Sequence, residues 1–490
     1  MSKAPVPATP ARKPLHPVPD RMVSDVVETA MHRYGTLTIE NRSIPDFHDG
    51  MKSVYRRLLW CAYNDIGMRP DKGFKKSALL IGDTMGKYHP HGDTSLYGAL
   101  VTMVNQPSSF FDKQGNFGHI LGAPPAAMRY TECRISTNGI RLLLDPRYLA
   151  VTEMVANYDG SAVEPVVLPA RIPTVLMTGA QGIAVGITTM FPSFTLASVE
   201  KMTKALFARF AKKGKITEID TKDLMHLEFE CAGGGYVISP EEEIIEFFEN
   251  GLGKIMWSCD YELDAKARTV TINGIPPGWN VSRIEKLSEI EDVVRVRDLS
   301  ARGAIKIVVE FKPSLSAMSF EAVATKKLQP LLQIAQHYRL NFIDRRAVVE
   351  DDGLKSIKTE LDTMPVGALI ERWCKWRVDL EVRAARYEQS QLHVQIDHEV
   401  ALLAAVDHLD VLFEILKSRT IKDKPGEIAV RLKLKRRELG EWLWSLPVGR
   451  FDRLNHDTIS AKLKTLTTKL RAAEEDENNP IPAVLRNLNA

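Results

Sequence analysis

The sequence predicts a multidomain α/β chain that finishes in a long helical arm, and three observations carry that expectation. Its 490 residues, 44% hydrophobic and 26% charged, are globular in composition and too many for a single core, so two to four domains are expected. Toward the middle, Ile305, Ile307, Val309 and Phe311 alternate with Lys306, Glu310 and Lys312, Val308 being the exception, and Val270 and Ile272 do the same, which is the period of strands. From Val366 onward the composition turns helical, with Trp373, Leu380, Tyr387, Val394 and Ala401 each seven residues apart, one seam position of a coiled coil. The second seam is weak, because Trp376 is followed at the same interval by Arg383, Ser390 and Asp397.

Charge is uneven along the chain. Residues 51–150 hold 13 Lys and Arg against 7 Asp and Glu, while the remainder holds 52 against 55. A basic window suits a polyanion such as nucleic acid, although a solvated face has the same composition. The cysteines Cys61, Cys133, Cys231, Cys259 and Cys374 form no Cys-x-x-Cys pair and read as reduced and non-ligating. Residues 1–22 are Pro-rich and lack the apolar core of a signal peptide, so a disordered arm is expected. Residues 172–199 carry no charge and are long enough to cross a bilayer, but Pro173, Gly179, Gly182, Gly186 and Pro192 interrupt them. They read as a buried, turn-rich segment of a cytoplasmic protein with no membrane partner.

Taken in order, Val23 to Glu40 has a helical pattern that Pro45 and Gly50 end. Met51 to Tyr63 reads as a second helix, with Lys52, Arg56 and Arg57 on one cationic surface and Val54, Leu58 and Leu59 facing inward. Lys76-Ser77 and a short apolar helix through Met85 come next, then a Gly86–Asp93 turn, then a helix from Thr94 to about Asn105 for which Asp93 is a natural N-cap. Two short helices joined by a tight turn resemble a helix-turn-helix, whose second helix enters a groove with its N-terminal amides toward phosphate. His89 and His91 fall on that turn, and with no Cys or third His nearby they suit phosphate better than zinc.

The run Gln114 to Arg134 holds the candidate chemistry. Gly115, Gly118 and Gly122 allow close backbone approach, and Arg129 precedes Tyr130. A phenol near pKa 10 is ionised in about one molecule per thousand at neutral pH, so a tyrosine nucleophile needs help. Arg129 beside it would stabilise a phenolate. An Arg-Tyr pair on its own is more often a buried tyrosine beside a surface arginine.

The order of motifs supplies the context. Arg42-Ser-Ile-Pro-Asp46, Asp49-Gly-Met-Lys52, Arg56-Arg57, Gly86-Lys-Tyr-His-Pro-His-Gly-Asp93, Gln114-Gly-Asn-Phe-Gly118 and Ala126-Ala-Met-Arg-Tyr-Thr-Glu132 are followed by Asn157-Tyr-Asp-Gly160, Glu164-Pro-Val-Val-Leu-Pro-Ala-Arg-Ile-Pro173 and Gly182-Ile-Ala-Val-Gly186. This series resembles the A-type chain of type IIA DNA topoisomerases, the family of DNA gyrase and topoisomerase IV, densely over residues 23 to about 195 and more loosely beyond.

The resemblance implies a disordered arm (1–22), a winged-helix DNA-cleavage domain (23–165), a mixed α/β tower domain (166–345) and a coiled-coil arm with a small helical dimer gate (346–490). Thr458–Glu474 would be the returning helix and Leu409–Trp444 the gate. It implies that Tyr130 forms a transient 5′-phosphotyrosyl link to double-stranded DNA, twice per homodimer, with Arg129, Arg42 and His91 as catalytic helpers. Lys52, Arg56, Arg57, Lys76, His89 and Thr94 would contact DNA, and Ile183 would be an apolar wedge between base pairs. No Asp-x-Asp and no Gly-rich ATP site occurs, so Mg²⁺ and ATP are expected on a separate B-type subunit, with no metal on this chain. The absence of a basic C-terminal wrapping domain suggests relaxation or decatenation by a compact, phage-like enzyme. Leu121-Gly-Ala123 replaces the acidic residues common after Gln-Gly-Asn-Phe-Gly, and Gly98 replaces an acid linked to quinolone binding. A non-enzymatic DNA-binding protein would show damage at Tyr130, Arg129 or the cationic helix, and a tyrosine recombinase lacks this motif order.

Overall fold

Residues 22–301, 304–349, 355–447 and 456–489 are described by the structure, a computed structural model. The expected arm therefore lies outside the described residues, apart from Met22. Helix α1 (Val23–Thr38) runs into a π-helical turn, Ile39–Ser43, and leaves Val23, Val26, Val27, Met31 and Tyr34 exposed. Helix α2 (Ser53–Asn64) turns Leu58, Leu59, Cys61 and Ala62 into the core. Helices α3 (Ser77–Lys87) and α4 (Asp93–Asn105) pack beside it. Asp93 does not cap α4 as expected. Gly92 takes the extended cap position, and Asp93 becomes the first helical residue, where its charge still favours the helix N-terminus.

Three short antiparallel strands close this region in the order β1 (Lys75–Lys76), β3 (Glu132–Ile135), β2 (Phe111–Gln114). Glu132 sits opposite Lys76 on one side and Gln114 on the other. Tyr130 thus stands at the entry to the central strand of the three.

The uncharged stretch at 172–199 folds into the helix Thr174–Thr178 and the hairpin Ala180–Ala184 with Ile187–Phe191. Glycine and proline end each element before a span could form, and no described helix is long and apolar enough to cross a membrane. That hairpin edges a five-stranded sheet completed by Gln333–Arg339, Leu252–Ser258 and Tyr236–Val237. One buried cluster joins α2–α4, this sheet, the helix Leu196–Lys213, the first turns of the long helix and Val484 and Leu488 near the C-terminus.

A second cluster fills a four-stranded antiparallel sheet ordered Asp260–Asp264, Thr269–Gly274, Ile307–Phe311, Val293–Asp298. The expected alternation holds there, with Ile307, Val309 and Phe311 buried, and Val308 is covered on the opposite face. Ile305 lies just before the strand.

The hairpin Asn341–Val349 with Lys355–Thr363 leads into a helix of 42 residues, Val366–Asp407. His456–Asn478 returns along it, and Leu409–Lys417, Lys424–Arg431 and Arg437–Ser445 gather around its far end. The seven-residue seam is only partly realised. Trp373, Leu380 and Ala401 are buried, but Tyr387 and Val394 are exposed. A straight helix drifts about 20° per heptad, and the contact passes instead to Leu392 and Ile396 against Leu466, Leu470 and Ala473.

Candidate active site and nucleic-acid interface

Tyr130 is an exposed side chain on a tight mount. Its amide donates to the Ala127 carbonyl at 2.9 Å, closing a turn. Thr131, the next residue, is fully buried; its carbonyl accepts from the Ser77 amide at 2.9 Å and its hydroxyl donates to Ser77 Oγ at 2.9 Å. On the other side the Tyr97 hydroxyl of α4 donates to the Ala126 carbonyl at 2.7 Å and meets Thr131 Oγ1 at 2.9 Å. Gly118 is required upstream, since it has φ +86° and a Cβ there would stand 2.8 Å from the Ala123 carbonyl oxygen. The Tyr130 ring itself is 63% exposed. Arg129 places its guanidinium carbon 4.6 Å from the ring centroid, a cation–π contact that keeps positive charge beside the phenol.

A second group assembles around the α3–α4 turn. Arg57 makes two hydrogen bonds to Glu164, at 2.6 and 2.7 Å, and its Nη1 donates to His89 Nδ1 at 3.1 Å. Burial first, and then the charges of Arg57, His91 and Arg42, push the His89 imidazole down to about 4. His89 is therefore neutral at pH 7, with Nδ1 accepting and Nε2 carrying the proton. His91 stacks on it at 4.4 Å and is exposed, as is Arg42. Asn157 Nδ2 donates to the Lys87 carbonyl at 2.6 Å and the Tyr158 hydroxyl to the Gly86 carbonyl at 2.8 Å, bracing the end of α3.

The expected cationic face of α2 is corrected by burial. Arg56 is 4% exposed and locked to Asp49 through Nε at 2.6 Å and Nη2 at 2.9 Å. Asp49 also accepts from the Met51 and Leu168 amides. Arg56 thus braces the core while Arg57 faces the cluster, because residues adjacent on a helix point about 100° apart. Lys52 is half-buried and donates to the Gln181 carbonyl at 2.6 Å. Lys76 pairs with Glu132 at 2.8 Å and Thr94 is exposed in the first turn of α4.

Ile183 is 76% exposed at the end of its hairpin. Ser43 Oγ donates to its carbonyl at 2.8 Å, and Gly182 lies so close to the Ser43 carbonyl that no Cβ could fit. The hairpin is therefore seated on the segment that carries Arg42.

The structure does not bring all the candidates together within one chain. Thr131 meets the first residue of α3 and His89 follows its last, and 11 helical residues span about 16 Å. Among the described residues, no hydrogen bond, ion pair or ring contact links Tyr130 to Arg42, His89 or His91. Asp49, Tyr97 and Thr131 escaped sequence reasoning as positioning residues; only the position of Asp49 and Thr131 inside motifs could have flagged them.

Nor do the residues near Tyr130 fit a magnesium ion. The nearby carboxylate, Glu132, is committed to Lys76, and the described residues contain no group of three metal-binding side chains.

This is a mixed α/β protein that presents a solvent-facing tyrosine on a braced turn. Residues 42–487 match the family model of the DNA gyrase/topoisomerase IV A-type chain, and the protein belongs to that family. It is similar to the DNA gyrase A-type chain of Streptococcus pneumoniae serotype 4, 30% identical over 451 residues, covering 88% of this chain and 52% of that protein. It is likewise 30% identical to the gyrase chain of the same type from Streptococcus pyogenes serotype M18 over 470 residues (91% and 53%) and to that of Halalkalibacterium halodurans over 465 residues (91% and 52%). The chain spans about half the length of these curated relatives.

Proposed function

We propose that the chain is the DNA breakage–reunion subunit of an ATP-dependent type IIA topoisomerase, relaxing or decatenating DNA. The observation that carries this reading is the Tyr130 side chain, exposed and free of competing hydrogen bonds among the described residues, with Arg129 beside it on a turn that buried neighbours hold still. The Tyr130 oxygen attacks a backbone phosphorus. The new O–P bond replaces the bond to the 3′ oxygen, leaving a free 3′ hydroxyl and a 5′-phosphotyrosyl link. Reversal by that hydroxyl reseals the strand, since the ester keeps the energy of the broken phosphodiester. Arg129 stabilises the charge that develops on the phosphoryl oxygens.

Arg42, His89, His91 and Arg57 form the complementary half. Their separation from Tyr130 in one chain supports a homodimer in which each tyrosine faces the cluster of the other copy. Arg42, His91, Lys52, Lys76 and Thr94 contact the DNA backbone, and Ile183 wedges between base pairs to bend it. The region of α2–α4 with its three strands is the winged-helix unit, and the four-stranded body belongs to the tower. The helices beyond Val366 form the arm and dimer gate. Mg²⁺ and ATP are held by a B-type partner.

The test mixes the chain with a B-type partner, Mg²⁺ and supercoiled plasmid, denatures the mixture and looks for DNA covalently attached to Tyr130. The adduct is expected from the native protein and absent from Tyr130→Phe; its absence from both abandons the assignment.

A further inference from the structure

Leu121 stands apart from its sequence neighbours. It is 4% exposed, and it is buried not with the helices around Tyr130 but in the core of the four-stranded body, with Cys259, Ile272, Trp279, Ile307 and Phe320. Every other buried member of that cluster comes from residues 259–332. A Cβ on Gly122 would lie 4.0 Å from Val281 Cγ2, so the next residue faces the same body. Ile120, one residue earlier, is 46% exposed, so the loop selects Leu121 for burial.

The path from Leu121 to Tyr130 is short and braced. The His119 amide donates to the Ala123 carbonyl at 3.0 Å, the Gly122 amide to His119 at 2.9 Å and the Ala126 amide to Asn116 at 2.9 Å. Pro124 and Pro125 fix φ between them. The Tyr130 amide then closes on Ala127.

We propose that Leu121 is a positioning residue that latches the Tyr130 turn to the four-stranded body, so that the readiness of the tyrosine to attack depends on where that body stands. The inference rests on Tyr130 as the nucleophile. Leu121 touches no reacting atom. A displacement of the body carries Leu121 with it, and the braced segment passes the movement to Ala127–Tyr130. Ala126, Met128 and Thr131 stay held by Tyr97, Ala78 and Ser77, so the movement reaches the turn against a side anchored on α3 and α4.

The experiment uses the full chain with its B-type partner and Mg²⁺ and reads four quantities: covalent adduct at saturating DNA, DNA affinity, melting midpoint and amide exchange. For Leu121→Ala the adduct should fall about tenfold while affinity stays within about twofold. Exchange should quicken at the Gly122, Ala126 and Tyr130 amides, and Leu121→Met should restore all of these. Val281→Ala, at a position 46% exposed and safe for folding, should move the adduct the same way by about twofold to threefold. Wild-type adduct levels in Leu121→Ala despite faster exchange overturn the proposal. So does a loss that tracks affinity or melting and is not rescued by Met. Absence of adduct from the native protein and from Tyr130→Phe alike is the failure of the nucleophile reading instead, and the exchange measurement still decides whether the latch exists.

Discussion

Arg57 Nη1 donates to His89 Nδ1 at 3.1 Å, and that bond can exist only while the imidazole is neutral. His89 falls from its usual 6.5 to about 4 in the folded chain. Between those values the unfolded chain binds more protons than the folded one. The contribution of His89 to stability is therefore complete above about pH 6.5 and is lost as pH falls toward 4. Melting midpoints measured from pH 7 to 4.5 should decline more steeply for the native protein than for His89→Gln; parallel declines would contradict this tautomer.

Asp49 is fully buried and accepts from Arg56 and from the Met51 and Leu168 amides. Asp49→Asn leaves a buried guanidinium without its counter-ion and should cost roughly 3 to 5 kcal/mol. Urea unfolding checks the value, and a change under about 1 kcal/mol would show that Arg56 finds another partner.

Ile183 and Gly182 are neighbours with opposite expectations. Ile183→Ser removes an exposed side chain, so stability should shift by no more than about 0.5 kcal/mol. DNA bending, followed by energy transfer between end-labelled dyes, should be lost. Gly182→Ala forces a Cβ into the Ser43 carbonyl and should cost roughly 1 to 3 kcal/mol by thermal melting. Equal stability loss in both variants would mean that the hairpin tip is a core element.

Arg129→Ala should lower the cleavage rate by about 10² to 10³ while DNA affinity changes little, because a positioned donor matters most where charge develops. Single-turnover adduct formation separates the two effects. Parallel loss of affinity and rate would make Arg129 a plain phosphate anchor.

Much of the architecture was legible in the chain. The presence of helices at α2, α3 and α4, though not their exact limits, the strands near Val270 and Ile307, and the long helix from Val366 all follow local periodicity. The Tyr130 run stood out as the candidate site through its motif order. The assignment of Arg56 to an exposed face was not, because helical spacing says which residues are neighbours and not which one meets a buried carboxylate. The heptad spacing through Tyr387 and Val394 marked a long packed helix and not which stripe of it the partner helix contacts.

The sequence alone marked the candidates for the proposed chemistry: Tyr130, the arginine beside it, and a basic window around them. Tertiary structure decided which of them are free to act. It committed Arg56 to Asp49, set Arg57 between Glu164 and His89, and put α3 between His89 and Tyr130. It also drew Leu121 away from its own helices into the four-stranded body. Arg57 meets Glu164 and Leu121 meets its cluster across more than a hundred positions, and even Arg56 and Asp49, close in sequence, pair only because burial excludes water from both, which no local pattern encodes.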